Sequence, residues 1–188
     1  TTEDNTPIKL RNNKFTQLFE SLTGMYGWPN YGEFDPTPIL APFFLLFFAM
    51  CMGDCGYGIL LIIIGLLIAK KKLNIEMFDG LGPIITVLGV GTTVVGFFLG
   101  TFMGIDLYAA EWMPQALKSV MIKGEVMGYD IQMVLALCIG VFHICLAMVV
   151  KAICYTKQFG FKENIATWGW TLLIVGGLLV AILGMTVL

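Results

Sequence analysis

The sequence predicts an all-α integral membrane protein, built as a helical bundle. Hydrophobic residues make up 57% of the 188 and charged residues only 13%, whereas soluble domains carry about 25% charge. Four long stretches are almost free of charge, at residues 36–69, 80–105, 131–150 and 165–188. Because about 20 apolar residues cross a hydrocarbon core of about 30 Å, each of the last three stretches fits one membrane-spanning helix. The composition excludes an ordinary water-soluble domain, and the net charge of −2 argues against nucleic acid as a partner.

The first charge-poor stretch, residues 36–69, is too long for one comfortable helix. Three glycines and an acid interrupt it, namely Gly53, Asp54, Gly56 and Gly58. The basic clusters decide its path, because basic loops stay on the cytoplasmic side. Such clusters precede the first stretch, follow it and follow the third stretch, whereas the loop at 105–130 is mixed in sign and is predicted to be external. The first stretch must then cross the membrane and return.

We therefore predict two short helices joined by a hairpin turn that Gly53, Gly56 and Gly58 allow. Each helix is about 22 Å long at 1.5 Å per residue, which is short for a full span. The alternative is one long, kinked and tilted helix, which would place the lysines at 70–72 outside. With the hairpin, a cytoplasmic membrane-proximal segment at 1–37 precedes a transmembrane domain at 38–188, whose five helices lie at about 38–52, 56–69, 81–104, 131–150 and 165–188.

Two amphipathic helices are predicted outside the membrane. One covers residues 13–23, where Phe15, Leu18, Phe19 and Leu22 share a face. The other covers residues 109–121 in the external loop, although Pro114 argues for a break early in it. Each helix has two readings, since an apolar face can bind the membrane interface or pack on the protein itself.

Asp54 and His143 are the candidate ion-path residues, because ionisable groups inside membrane segments usually face a cavity, a partner or an ion path. The plainer reading of Asp54 is a turn aspartate that accepts backbone N–H bonds between glycines. The plainer reading of His143 is a neutral imidazole bonded to a neighbouring helix, against a proton relay. We expect Asp54→Ala to lower coupled ion transport if Asp54 serves the ion path.

The remaining motifs indicate packing rather than chemistry. Gly96, Gly100 and Gly104 form two overlapping G-x-x-x-G steps, which predict a helix face that another backbone approaches closely. The five cysteines lie in or beside apolar runs and are read as buried free thiols. The sequence indicates no metal site, no cofactor, and no nucleophile and base pair for catalysis.

Several motifs together resemble one family. Residues 35–38 read Asp-Pro-Thr-Pro, residues 53–58 read Gly-Asp-Cys-Gly-Tyr-Gly, and residues 96–104 form a Gly/Phe-rich run. With the run Gly140-Val141-Phe142-His143 and the segment leading into residue 35, these motifs resemble subunit a, also called subunit I, of V-type and A-type rotary ATPases. The resemblance covers most of the chain.

The resemblance implies a non-catalytic stator subunit of an ATP-driven proton or sodium pump. Such a subunit has a cytoplasmic arm and eight membrane helices, which form two half-channels beside a rotating proteolipid (c/K) ring. Its partners would be that ring, other rotary ATPase subunits, the remaining helices of the same subunit and membrane lipid, in a prokaryotic plasma membrane. The family's essential arginine lies on a late helix, whereas Arg11 is the only arginine here and precedes the membrane. We therefore expect the first five helices of a longer subunit, with the N-terminus cytoplasmic.

The main alternative is a self-contained small transporter or channel. It would need polar groups that converge at mid-membrane, and the sequence offers only Asp54 and His143 for that purpose. A third reading is a purely structural membrane scaffold, in which neither residue matters beyond folding.

Overall fold

The computed structural model describes residues 10–27, 34–71, 80–126 and 128–187. It divides into two compact units, Thr1–Ala136 and Leu137–Leu188, and each is described by itself. Three helices are long and apolar enough to cross a membrane within the described residues: those at Gly82–Leu99 and Ile131–Phe159, and a span at Lys162–Val180. Two shorter apolar helices precede them, at Thr37–Met52 and Cys55–Ala69.

In the first unit, α1 (Lys14–Tyr26) is followed by the three apolar helices α2 (Thr37–Met52), α3 (Cys55–Ala69) and α4 (Gly82–Leu99). A gap of only two residues, Gly53 and Asp54, separates α2 from α3. Proline lies in the first turn of both α2 and α4, where its missing N–H breaks no helical hydrogen bond.

Contacts along α4 give the directions of its two neighbours. Ala41 of α2 lies in one buried cluster with Ile84 and Leu88, and the later residue Leu45 lies against the later residue Gly91. Helix α2 therefore runs alongside α4 in the same direction. Helix α3 runs in the opposite direction, because its last residue, Ala69, adjoins Gly82, the first residue of α4. The chain consequently reverses between α2 and α3, as a helical hairpin does.

Helix α1 packs on the protein rather than standing free. Phe19 is fully buried among Ala41, Ile84 and Leu88, and its ring meets that of Phe44 edge-on at 6.2 Å between centroids. The hydroxyl groups of Thr23 and Thr37 are 2.8 Å apart, which ties α1 to the start of α2. Of the two readings of the first amphipathic helix, the structure favours packing on the protein itself.

The segment after α4 is mostly irregular. It contains β1 (Thr101–Phe102) paired antiparallel with β2 (Ile105–Asp106), then the four-residue helix α5 (Gln115–Lys118), then β3 (Glu125–Val126) paired with β4 (Tyr129–Asp130). The predicted helix over 109–121 is thus reduced to a single turn, which begins directly after Pro114. Trp112, expected on its apolar face, is 72% exposed.

The second unit consists of α6 (Ile131–Phe159) from residue 137 onward and α7 (Ile165–Val187). A short 3-10 turn at Lys162–Asn164 joins them. The buried Asn164 donates hydrogen bonds from Nδ2 to the carbonyls of Tyr155 and Gly160. The indole N–H of Trp168 donates to Thr156 Oγ1 at 2.8 Å. Side-chain hydrogen bonds therefore close the connection between the two long helices.

Candidate functional site: the Asp54 clamp

The candidate site is built around Asp54, in the turn between α2 and α3. Gly53 caps the end of helix α2 in the left-handed conformation, with φ of 57°, which glycine adopts most readily. Asp54 then returns to extended backbone and precedes α3 as its N-cap. Its Oδ1 accepts hydrogen bonds from the backbone N–H groups of Gly56 at 2.8 Å and Tyr57 at 3.3 Å. These bonds satisfy two of the N–H groups that the start of a helix leaves without partners.

The same carboxylate also holds a turn from about 50 residues later in the chain. The N–H of Met103 donates to Oδ1 and the N–H of Gly104 donates to Oδ2, both at 2.8 Å. Met103 and Gly104 form the two-residue turn between β1 and β2, and both have positive φ, 48° and 78°, as type I′ hairpins require. The Thr101 hydroxyl donates to the carbonyl of Gly53 beside them. We call Gly53, Asp54 and the turn they hold at 101–104 the Asp54 clamp.

The clamp is buried, and both carboxylate oxygens accept hydrogen bonds. Asp54 is only 6% exposed, and all four of its partners are N–H donors. An ionised carboxylate is an acceptor only; three of the donors share Oδ1 and one binds Oδ2. Gly56 makes room for the hairpin, because a Cβ there would lie 2.5 Å from Met103 Cγ. The arrangement joins two segments of chain through one buried carboxylate.

A stripe of small residues continues from the clamp between α3 and α4. Glycines recur every seven residues on both helices, and a Cβ on any of them would collide with the backbone of the facing helix: Gly58 and Gly65 on α3, and Gly82, Gly89 and Gly96 on α4. Small residues at such spacing let two helix backbones approach closely. The clamp therefore closes one end of a tightly packed helix pair.

The three-glycine face predicted at Gly96, Gly100 and Gly104 does not form. Gly96 does face Asp54 and Cys55, but α4 ends at Leu99, and Gly100 follows with a left-handed φ of 71°. Gly104 belongs to the hairpin turn instead. The helix was predicted to continue to residue 104 because the apolar run continues, and hydropathy does not detect a chain reversal.

The predicted turn glycines take different places. Only Gly53 lies in the turn itself, while Gly56 and Gly58 lie within the first turn of α3 and face the hairpin and Thr93 respectively. The signal that would have found the true packing face is the seven-residue glycine spacing, which is present in the sequence. The two hairpin donors to Asp54 have no comparable signal, since any residue supplies an N–H.

The other candidates lie elsewhere. His143 is half-buried in α6, in the second unit. All five cysteines are free, and Cys51 and Cys138 are exposed rather than buried as predicted. No group of three or more metal-ligating side chains occurs among residues 10–27, 34–71, 80–126 and 128–187.

Beyond the clamp, the segment after α4 folds back on the end of that helix. The N–H of Ile122 donates to the carbonyl of Phe98 at 2.7 Å, and the N–H of Leu107 donates to the carbonyl of Gly100 at 2.8 Å. Asp106 forms an ion pair with Lys123 at 3.2 Å. Burial raises the pKa of the Asp106 carboxyl, but the hydrogen bonds from Lys123 and from backbone N–H groups outweigh it, so that the pKa lies below its ordinary value.

Comparison with known proteins agrees with the resemblance. Residues 1–113 match the model of the V-type ATPase 116kDa subunit family. The A-type ATP synthase subunit I of Pyrococcus horikoshii is 34% identical over 185 residues, which cover 92% of this chain and 26% of that protein. The A-type ATP synthase subunit I of Methanocaldococcus jannaschii is 43% identical over 107 residues, which cover 56% of this chain and 16% of that protein.

A bacterial relative, the V-type ATP synthase subunit I 2 of Treponema pallidum, is 30% identical over 100 residues, which cover 53% of this chain and 22% of that protein. The chain thus spans about a quarter or less of the length of these curated relatives. Its long apolar helices agree with a membrane location. The family match covers more than half of the chain, and the chain belongs to the V-type ATPase 116kDa subunit family.

Proposed function

We propose that this chain is part of the membrane domain of a rotary ATPase stator, a non-catalytic subunit I. In this role it scaffolds the proton or sodium half-channel beside the proteolipid ring. The observation that carries the scaffold role is the Asp54 clamp. Asp54 is the only charged residue between residues 37 and 69, and no charged residue occurs between 80 and 99. Its carboxylate is occupied by four N–H donors.

The proposal includes a membrane arrangement. Five helices cross the membrane, with the N-terminus cytoplasmic and α2 and α3 forming a short hairpin. The opposite directions of α2 and α3 along α4 support it, because they place Asp54 at one end of the pair and Lys70 at the other. Basic residues favour the cytoplasmic side, so the clamp lies toward the outside.

Within this scaffold, the proposal assigns Asp54 a structural role and leaves His143 as the ion-path candidate of this chain. A polar group within an apolar helix usually faces a partner or a path. The remaining helices of the complete subunit would supply the arginine that the family requires.

The test uses the complete rotary complex, purified and reconstituted into vesicles. We expect Asp54→Ala to reduce the amount of assembled complex severalfold while ATP-driven ion uptake per assembled complex stays normal. We expect His143→Leu to assemble normally and to lower that uptake. Glu111→Gln, at an exposed acid outside the clamp, is the matched acidic control and should change neither quantity.

Two results would contradict the proposal. A complex with Asp54→Ala that assembles in full but transports no ions would make Asp54 part of the ion path. Normal assembly together with normal transport would show that the clamp is dispensable, and the scaffold role would lose the observation that carries it.

A further inference from the structure

The hairpin at 101–106 exposes an apolar surface, although it belongs to a segment predicted to be external. Phe102 is 38% exposed, Met103 is 49% exposed and Ile105 is 59% exposed. Of the six residues in the hairpin, only Asp106 is charged. Water-facing hairpins normally carry polar side chains on their open face, so this surface fits an apolar environment better than water.

Helix length places this surface within the membrane. With Lys70 at the cytoplasmic boundary, the 15 residues of α3 rise about 22 Å toward the outside, against a hydrocarbon core of about 30 Å. The clamp at the far end of α3 then lies several ångströms below the outer boundary of the core. The hairpin contacts Asp54 directly and therefore lies near the same depth.

Non-helical backbone at such a depth needs partners for its polar groups, because lipid supplies none. Several polar groups of the hairpin have such partners. The turn N–H groups of Met103 and Gly104 donate to Asp54, the Thr101 hydroxyl donates to Gly53, and the two strands pair with each other. The two bonds from the turn to the Asp54 carboxylate, together with the strand pairing, favour a position at the hydrocarbon boundary.

The charges near the hairpin fit the same position. Asp106, at its end, is paired with Lys123 at 3.2 Å, and pairing lowers the cost of placing both groups at the edge of the membrane. Glu111 and Lys118 occur farther along the segment and are not part of the hairpin. Trp112 and Tyr108, exposed by 72% and 49%, are of the two residue types that concentrate at the membrane interface.

We propose that the hairpin at 101–106 is immersed in the outer leaflet, where Phe102, Met103 and Ile105 contact lipid acyl chains. The Asp54 carboxylate accepts the hydrogen bonds of the turn N–H groups there. The preceding helix α4 also exposes apolar side chains, since Val90, Val94 and Phe98 recur at four-residue spacing with 49%, 50% and 38% exposure. The inference rests on the membrane arrangement proposed above and is independent of the ion path.

The test measures depth by electron paramagnetic resonance on the complete complex in lipid vesicles. A nitroxide is attached at Ile105→Cys, at Phe102→Cys or at the matched exposed control Glu111→Cys, each in a background without the five native cysteines. Oxygen, which concentrates in the membrane, should relax the labels at 105 and 102 more strongly than a water-soluble nickel chelate. The order should reverse at 111.

The outcomes separate this inference from the proposed function. Strong relaxation by nickel at both 105 and 102 would overturn the immersion, and so would protection of both from oxygen and nickel alike, since a neighbouring protein would then cover the hairpin. ATP-driven ion uptake is measured on the same vesicles. If the labels at 105 and 102 lie in water while ATP-driven ion uptake is normal, the immersion is refuted and the proposed function still stands.

Discussion

At the scale of single residues, Asp54 shows how backbone N–H groups hold an acid in an apolar region. The sequence predicts a turn aspartate between glycines as one of two readings. Two of its four donors agree with that reading, because Gly56 and Tyr57 lie two and three residues after Asp54. The other two donors come from the turn at 103–104. Sequence spacing does not reveal them, because they depend on how α4 brings the hairpin back to the start of α3.

The first prediction separates the charge of Asp54 from its shape. Asp54→Asn keeps one carbonyl oxygen for three donors but points an NH₂ group at the N–H of Gly104, so two donors face each other. Asp54→Ala leaves all four N–H groups without this acceptor. We expect Asn to lower the free energy of unfolding by about 1–3 kcal/mol and Ala by more.

The measurement for Asp54 is thermal unfolding of the purified chain in one detergent. Asp54→Ser is the informative control, since a serine hydroxyl can still cap α3 but is too short to hold the hairpin. The loss of unfolding free energy in Asp54→Ser should lie between the losses in Asp54→Asn and Asp54→Ala. Equal stability of Asn and the wild type would contradict the donor arrangement at Gly104.

The second prediction concerns the pH dependence of the ion pair between Asp106 and Lys123. Because the folded-state pKa of Asp106 is lowered, the pair stabilises the fold above the ordinary carboxyl pKa, and this contribution disappears as the pH falls through the folded-state value. Asp106 is 48% exposed, so solvent screening limits the effect to a few tenths of a kcal/mol. Unfolding of wild type and Asp106→Asn, compared from neutral to acidic pH, should converge at low pH; a constant gap would refute the pair's contribution.

At the scale of elements, helix existence was easier to predict than helix ends and contacts. The structure has helices at Thr37–Met52 and Cys55–Ala69, where the sequence predicts about 38–52 and 56–69. Proline and the Gly-Asp turn mark those boundaries locally. Helix α4 ends at Leu99, five residues before the predicted end, because the reversal at Gly100 occurs inside an apolar run. Periodicity detects which face is apolar but not where the chain turns.

The third prediction tests the glycine stripe between α3 and α4. A Cβ at Gly89 would lie 2.7 Å from the backbone nitrogen of Ile62, whereas one at Gly176 in α7 would meet nothing within 4 Å. Gly89→Ala should therefore destabilise the first unit by about 1–3 kcal/mol through overpacking. Gly176→Ala, the matched control, should be neutral or stabilising by up to about 1 kcal/mol, since alanine favours helix. Thermal unfolding in detergent measures both, and equal effects would contradict the close approach of α3 and α4.

The fourth prediction tests the docking of α1. Phe19 is fully buried, whereas Phe15, one turn earlier on the same helix, is 41% exposed. Phe19→Ala should cost about 3–5 kcal/mol, as cavity-forming substitutions of buried aromatic residues do, and Phe15→Ala should cost much less. Limited proteolysis near residues 10–27 should become faster only in the Phe19 variant. Similar cleavage of both variants would favour a helix that binds the membrane interface instead.

At the scale of the whole molecule, composition was enough to predict a helical membrane protein, and a few short motifs were enough to indicate its family. Both rest on features that single residues carry, namely charge, hydropathy and identity. The segment between α4 and α6 was predicted least well, since the helix expected at 109–121 is only Gln115–Lys118. Its fold depends on backbone bonds to the end of α4, such as that from Ile122 to Phe98, which no periodicity encodes.

The last prediction concerns the path of the chain through the membrane. The helical hairpin of α2 and α3 and the alternative of one long first helix place every later loop on opposite sides. Cysteines at Lys70, Glu111 and Lys157, all exposed, are introduced into a cysteine-free background of the complete complex. An impermeant maleimide is then applied to intact cells and to inverted vesicles. The hairpin arrangement predicts that Glu111→Cys reacts only from outside and the two lysine sites only from inside, because basic loops stay in the cytoplasm. One long first helix predicts the reverse at all three positions, so either result decides between the two arrangements.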